Sequence, residues 1–406
     1  MHWCLGIILL AVVTTAPALT LEEAVALART NHPALAAARQ RIEAAGGRAE
    51  QARLWPNPEL ELFSEDFPPN RGGISSAQNM IGVSQTVPYP GKKGLDAQIG
   101  RQEISAAQLE YLSREREIVR AVQTAFCRAL ASQKKAGVAG ELVALNRSLV
   151  EVARQRIAAG AAGEQERLRA EIEQERASVE VTAAQRDLAE ARQALAGALG
   201  RPREPLGTLA GELRAQAPVV DTDAVGAKML AQHPTLRGTA AARNRAELEW
   251  KRAKLDPLPD VTLGMAGGRH FAERETMMEF RVSVPLPLFD RAQGKKRETQ
   301  ALAAAARHDA TTTEQQLLNE LRHVAARLRS AGEQVEAYRS RILPRADAAL
   351  KLAQAGYAAG KFSFLDLVDT QRTATEVRLT YCDKLLELNL ALADLEALTG
   401  NLSKEQ

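Results

Sequence analysis

The sequence is poor in aromatic residues. Phe, Trp and Tyr make up 4% of the chain while hydrophobic residues make up 45%, so the apolar mass is mostly Ala, Leu and Val. That balance suits helices packed closely on helices and argues against a large globular core. Charge of one sign is also scarce: the formal net charge is +3 over 406 residues, with both signs interspersed. With no basic stripe, no nucleic-acid partner is expected. No nucleophile, base and orienting group recur together, and no glycine-rich phosphate loop follows a strand, so no enzyme is expected. His270, His308 and His323 lack ligand-like spacing with Cys, Asp or Glu, so neither a metal centre nor a cofactor is expected. Met277 and Met278 could contact a soft metal, but they read first as ordinary strand residues.

Long apolar runs are missing except at the start. Leu5 to Val13, followed by Ala16-Pro17-Ala18, has the apolar stretch and cleavage site of an export signal over residues 1–18. Its leading segment is weak, since His2 is the only basic candidate, and Cys4 precedes the run, which argues against lipid attachment there. Beyond it no stretch is long and apolar enough for a spanning helix. Two cysteines remain, Cys127 and Cys382. At ~1.5 Å per helical residue they would stand at different heights along a bundle, so two buried thiols are expected and no disulfide.

What is present is written twice. His32-Pro33-Ala34-Leu35 returns as His233-Pro234-Thr235-Leu236, and the pair Pro56, Pro58 returns as Pro257, Pro259, both at a spacing of 201. Val87-Pro88-Tyr89-Pro90 reappears as Val284-Pro285-Leu286-Pro287, and Ala158-Ala159-Gly160 as Ala358-Ala359-Gly360. The expected organisation is a first repeat over 19–200, a Pro- and Gly-rich linker over 201–220, a second repeat over 221–400 and a tail over 401–406. Each repeat opens with a helix that breaks before His-Pro, where proline starts the next helix at no hydrogen-bond cost. The fixed place of His32 and His233 predicts capping or packing rather than metal ligation.

Pro56, Pro58, Pro257 and Pro259 then mark helix-to-strand transitions. Alternation of apolar and polar residues predicts strands at about 58–67 and 79–88, and again at about 259–268 and 276–286. Four strands cannot close a barrel, and hydrocarbon does not tolerate open edges. If the strands span a membrane, the chain must oligomerise. The rest reads as helical hairpins at about 92–199 and 292–399. About 60 uninterrupted helical residues reach ~90 Å, a length that suits a projecting tube. Gly137 and Gly140 predict a kink or turn, Pro344 an interruption, and Leu385, Leu388, Leu392 and Leu395 a packing seam.

At this point the chain resembles the TolC family of outer-membrane efflux proteins over essentially its whole mature length. The likeness rests on the duplication, the Pro-x-Pro entries to the strands, and Tyr357-Ala358-Ala359-Gly360 followed by Asp366 and Asp369. That segment is similar to the family's second periplasmic tip; the first tip matches less well, with Ile157 for the aromatic, Gly160 for the glycine and Glu166 for the acidic residue. Pro88-Tyr89-Pro90-Gly91-Lys92-Lys93 is similar to the heavy-metal efflux branch, the CzcC/CusC type.

The resemblance implies a mainly α fold with a small β part. Two tandem helical-hairpin repeats would contribute four strands per chain to a trimeric 12-stranded transmembrane β-barrel atop an α-helical tunnel. It also implies a homotrimer in outer-membrane lipid, its tunnel reaching into the periplasm, where a periplasmic adaptor and an inner-membrane pump of RND type dock at the tip. The expected role is passive conduction of heavy-metal cations; organic toxicants or secreted proteins are the alternative cargo. Glu166, Asp366 and Asp369 are the expected constriction, a carboxylate ring attractive to cations, with the Tyr357 hydroxyl as a latch. Gly160, Gly163, Gly360 and Lys361 are the expected tip turns and docking residues. Where the family often carries a tip arginine this chain has Phe362, which leaves Lys361 as the expected cation. The competing reading of Asp366 and Asp369 is a solvated first helical turn favoured by the helix dipole. A periplasmic adaptor fits less well, since it normally carries one hairpin, and a plain coiled-coil scaffold does not need the framing prolines.

Overall fold

The computed structural model describes residues 18–66, 77–160, 162–270 and 275–400. Most of the expected leader and the tail beyond 400 lie outside the described residues. Nine helices and four strands are described: α1 Leu21–Asn31, α2 Pro33–Arg53, β1 Glu59–Glu65, β2 Gln78–Val87, α3 Lys92–Ala158, α4 Glu164–Ala198, α5 Thr222–Gln232, α6 Pro234–Lys254, β3 Val261–His270, β4 Glu275–Ser283, α7 Gln293–Ala337, α8 Leu343–Ala358 and α9 Phe364–Thr399. Two compact units divide them, and each draws on both sequence repeats. One unit contains Ala36–Arg114 and Leu230–Leu317; the other contains Glu115–Met229, Leu318 onward and the stretch ending at Leu35.

The first unit holds the sheet, whose order β1-β2-β3-β4 is antiparallel throughout. The β2–β3 ladder joins the two repeats, so the pair of expected hairpins is one sheet. Residues paired across strands share a face, and the register makes one face apolar. Leu60, Val83, Met265 and Phe280 form one row; Leu62, Ile81, Gly267 and Met278 form the next; Leu263 and Val282 extend it. The nine large apolar side chains on this face are 48% to 74% exposed. Leaving such side chains in water forgoes roughly 1.5–3 kcal/mol each, so this face calls for an apolar surrounding. The opposite face carries Glu61, Ser84, Thr262 and Arg281 around small residues. Arg281 on β4 reaches Glu61 on β1 at 3.3 Å, passing over Gly82 and Ala266, so the polar face is concave. Gly82 is required there, because a Cβ would stand 2.8 Å from that of Ala266.

At the base of the sheet, backbone groups that the prolines free are taken up by side chains. Gln85 donates to the Pro56 carbonyl at 2.9 Å, and Asp260 accepts from the Tyr89 N–H and from the buried Lys92 ammonium, both at 2.8 Å. Trp55 and Phe289 are exposed near these transitions.

The second unit is helical. The expected seam on α9 is buried throughout, at Leu385, Leu388, Leu392 and Leu395. Asp394 on the same helix accepts from Arg120 at 2.7 Å and Arg327 at 3.1 Å, tying α3, α7 and α9 together. The segment at 201–220 is not a loose tether: Leu209 and Leu213 are buried, and Asn389 bonds both the N–H (3.0 Å) and the carbonyl (2.9 Å) of Arg214. Cys127 and Cys382 are free and buried.

Of the kink or turn expected at Gly137 and Gly140, the turn does not occur; α3 continues through both. A helical glycine costs only about 1 kcal/mol against alanine, which the packing of a long helix outweighs. Pro344 does interrupt its helix, through one π-helical turn at Tyr338–Ile342 that absorbs the missing N–H and leaves proline in the first turn of α8. His32 and His233 cap as expected, Nδ1 accepting from the N–H of Ala34 at 3.1 Å and of Thr235 at 3.3 Å.

Candidate functional site: the helical tip

Two helix-to-helix turns in the helical unit bring the expected tip residues together. In the second turn α8 ends at Ala358, and Gly360 follows with φ 71°. Its N–H bonds the Tyr357 carbonyl at 3.0 Å, while the Lys361 N–H bonds the Gly356 carbonyl at 2.7 Å. This is a Schellman closure, which needs a left-handed residue and so selects glycine. In the first turn Gly160 plays the same part with φ 69°, and its N–H meets the Ile157 carbonyl at 2.9 Å. Gly163 then starts α4 without a side-chain cap.

Tyr357 is the centre of the site. Its side chain is 1% exposed, packed in a cluster with Val150, Ala153, Ala170, Leu350 and Leu367, and its ring meets that of Phe364 edge-on at 6.0 Å. A phenol so enclosed needs an acceptor, and its hydroxyl donates to Glu166 Oε1. Burial, then the bond to Glu166, holds the phenol well above its ordinary range, so it stays a donor. The latch expected from the sequence therefore has its partners in contact.

The cation at this site is not Lys361. Arg156, near the end of α3, stacks its guanidinium over the Tyr357 ring at 4.6 Å, donates to the Tyr357 carbonyl at 2.6 Å, and stands 3.8 Å from Glu166. Lys361 is exposed. Sequence reading missed Arg156 because the search for a cation stayed within the second tip. The signal was available one residue before Ile157, the repeat mate of Tyr357.

The two aspartates separate. Asp366 is the third residue of α9 and forms a reciprocal cap with Ser363: its carboxylate accepts from the Ser363 N–H at 3.0 Å and hydroxyl at 2.7 Å, and its own N–H bonds Ser363 Oγ at 3.2 Å. Those bonds from Ser363 hold the carboxyl below its usual range. Asp369, one turn on, is exposed. Among the described residues no group of three or more His, Cys, Asp or Glu is placed to hold a metal ion, and no helix is long and apolar enough to cross a membrane.

A duplicated helical-hairpin fold with a curved four-stranded sheet, apolar outside and polar within, defines a channel-type outer-membrane component. The family model described as outer membrane efflux protein matches residues 24–201 and 225–401, and the chain belongs to that family. It is 27% identical over 387 residues to the cobalt-zinc-cadmium resistance protein CzcC of Cupriavidus metallidurans, covering 94% of this chain and 90% of that protein. It is 26% identical over 316 residues to the nickel-cobalt-cadmium resistance protein NccC of Alcaligenes xylosoxydans xylosoxydans, covering 74% and 70%. The crystal structure of CusC shares the fold with a TM-score of 0.79 at 17% identity, over 94% of this chain and 92% of that one.

Proposed function

We propose that three copies of this chain form an outer-membrane duct that passively conducts heavy-metal cations out of the cell. The observation that carries this reading is the sheet: an apolar face left exposed, a concave polar face, and edges at β1 and β4 that are unpaired among the described residues. In hydrocarbon those edges need partners, and the neighbouring copies supply them, closing twelve strands around a polar bore. The lipid is that of the outer membrane, reached after removal of the leader at residues 1–18. The chain performs no chemistry of its own.

The relatives CzcC and NccC, named as metal resistance proteins, support a metal cargo. The helical tip is the gate and docking point. Glu166, Tyr357 and Arg156 hold the hairpins closed, Asp369 and Asp366 face the cation path, and Gly160, Gly163, Gly360 and Lys361 shape the surface met by a periplasmic adaptor. An inner-membrane pump of the RND type drives transport through that adaptor. Two measurements test the reading. Outer-membrane fractions are expected to hold a heat-modifiable trimer, and deletion of the gene is expected to lower tolerance to cobalt, zinc or cadmium. A water-soluble monomer would defeat the duct; unchanged metal tolerance with lost tolerance to organic toxicants would defeat the cargo.

A further inference from the structure

A groove of about 470 Å³ runs between α3, α4 and α9 in the helical unit. On α9 its lining recurs at Gln371, Thr375, Leu379 and Asp383, every fourth residue, so it follows that helix for about 18 Å. Leu142 from α3, Ala177 from α4 and Leu379 from α9 make part of the lining apolar. The charged part is mostly acidic, with Glu173, Glu180, Glu376 and Asp383 against Arg176 and Arg372.

Half of those carboxylates are already paired. Glu173 takes both arginines, Arg372 at 2.6 Å and Arg176 at 3.2 Å, and Asp383 takes Lys135 at 2.5 Å. Glu180 and Glu376 are exposed and have no ion-pair partner among the described residues.

The same lining holds an unmet acceptor. Gln371 is 3% exposed, and its Nε2 donates to Asn146 Oδ1 at 2.6 Å. Asn146 donates in turn through Nδ2 to the Glu173 carbonyl at 3.1 Å, which leaves its Oδ1 for Gln371. The reverse orientation of the Gln371 amide would set acceptor against acceptor. Gln371 Oε1 is therefore a buried acceptor without a donor among the described residues. Such an oxygen calls for a donor, and the two unpaired carboxylates call for that donor to be cationic. A bare metal ion does not suit the groove, since no three His, Cys, Asp or Glu converge on one among the described residues. Ammonium groups joined by methylenes do suit an elongated groove whose lining alternates between acidic and apolar.

We propose that this groove binds a linear aliphatic polyamine. One ammonium donates to Gln371 Oε1, others pair with Glu180 and Glu376, and the methylenes lie along Leu142, Ala177 and Leu379. The ligand ties α4 to α9, as the Arg372–Glu173 pair already does, so it is an effector of the helical hairpins and not a transported cargo. The inference goes beyond the duct reading, and its failure is distinguishable from that reading's, because binding is measured without transport.

The test titrates spermidine into the full chain, purified in detergent, by calorimetry at fixed ionic strength. Saturable binding is expected. The double variant Glu180→Gln with Glu376→Gln is expected to weaken it about 10-fold through two lost ion pairs. Gln371→Met is expected to weaken it about 10-fold through the lost acceptor. Glu333→Gln, at an exposed position on α7 outside the groove, is expected to leave it unchanged. Melting temperature reports which variants keep the fold; Glu180 and Glu376 are exposed, so their double variant decides the matter wherever Gln371→Met does not fold. Absence of saturable binding, an equal loss in Glu333→Gln, or full displacement of spermidine by equimolar Mg(II) would overturn the site, leaving only screening of surface charge. Unchanged affinity in a folded Gln371→Met would overturn it as well.

Discussion

Replacing Tyr357 with Phe removes one oxygen from the tip and little else. The ring keeps its burial and its contacts with Phe364 at 6.0 Å and Arg156 at 4.6 Å. What goes is a hydrogen bond from the phenol to the Glu166 carboxylate. Bonds to charged groups contribute about 1.5–3 kcal/mol. The Glu166 side chain is 20% exposed and keeps Arg156 at 3.8 Å, so it is not stranded, and the low end of that range applies. Three latches released together by symmetry then sum to ~4–5 kcal/mol, on the order of 10³ in the ratio of closed to open tips. Single-channel recordings of the purified trimer are expected to show a larger, more persistent conductance for Tyr357→Phe, with thermal stability nearly unchanged. Tyr357→Ala differs, because losing a buried ring costs about 3–5 kcal/mol of packing and lowers stability as well. The pH dependence follows from the same bond. The folded phenol titrates above its ordinary value, so its contribution is complete below ~10 and is lost as pH rises toward the higher folded value. Alkaline opening is expected in the wild type, and that step should vanish in Tyr357→Phe. Wild-type conductance in Tyr357→Phe, Glu166→Gln and Arg156→Ala alike would refute the latch.

Three further outcomes are expected. Ile81→Arg places a cation on the apolar face of β2, at roughly 2–4 kcal/mol per chain near mid-bilayer, and should abolish the heat-modifiable trimer; normal trimer yield would mean that this face does not meet lipid. Asp369→Asn should reduce cation preference in bilayer recordings more than Asp366→Asn, because Asp366 commits its Oδ2 to both the N–H and the hydroxyl of Ser363; Asp366→Asn should instead lower the melting temperature. The Asp366 contribution is present above the ordinary carboxylate range of ~3.9 and fades as pH falls through its lower folded value. Cys127, pushed up to about 11 by burial and then by Glu396, should resist thiol reagents at neutral pH until the chain unfolds, as should Cys382, raised by burial. Rapid labelling of the folded trimer would contradict the burial.

Much of the fold was legible because it is periodic and duplicated. The break at His32 and His233, the Pro-x-Pro entries and the leucine seam on α9 each impose a local constraint that a single strand of text displays. What escaped was relational. A turn at Gly137 and Gly140 failed because local propensity was weighed without the helix packing that overrides it. The β2–β3 ladder, which makes one sheet of two hairpins, spans residues 78 to 270, and no local pattern announces that pairing. The alternation of residues did mark two faces, but not that Arg281 would close over Gly82 and Ala266 to Glu61. The fate of Asp366 was readable and was passed over: Ser363 followed three residues later by an acidic residue is a capping signature.

The tip carries the same lesson one level deeper, because duplication has made its halves complementary rather than alike. Position 357 holds Tyr where its mate 157 holds Ile, and 356 holds Gly where 156 holds Arg. The second difference has a steric cause. A Cβ at Gly356 would stand 2.3 Å from the Phe362 ring, so with Phe362 in place no arginine fits there. The cation must come from the other copy, and it does: Arg156 of the first repeat stacks on the tyrosine of the second, and that tyrosine donates to Glu166 of the first. Each turn therefore supplies what the other lacks. Phe362 occupies the space that a side chain at position 356 would need, and the charge beside Tyr357 is Arg156 of the first repeat. A Phe362→Ala variant relieves the contact without removing Arg156, so the clamp on Tyr357 should survive it, whereas Arg156→Ala should not be rescued by any cation placed at Lys361.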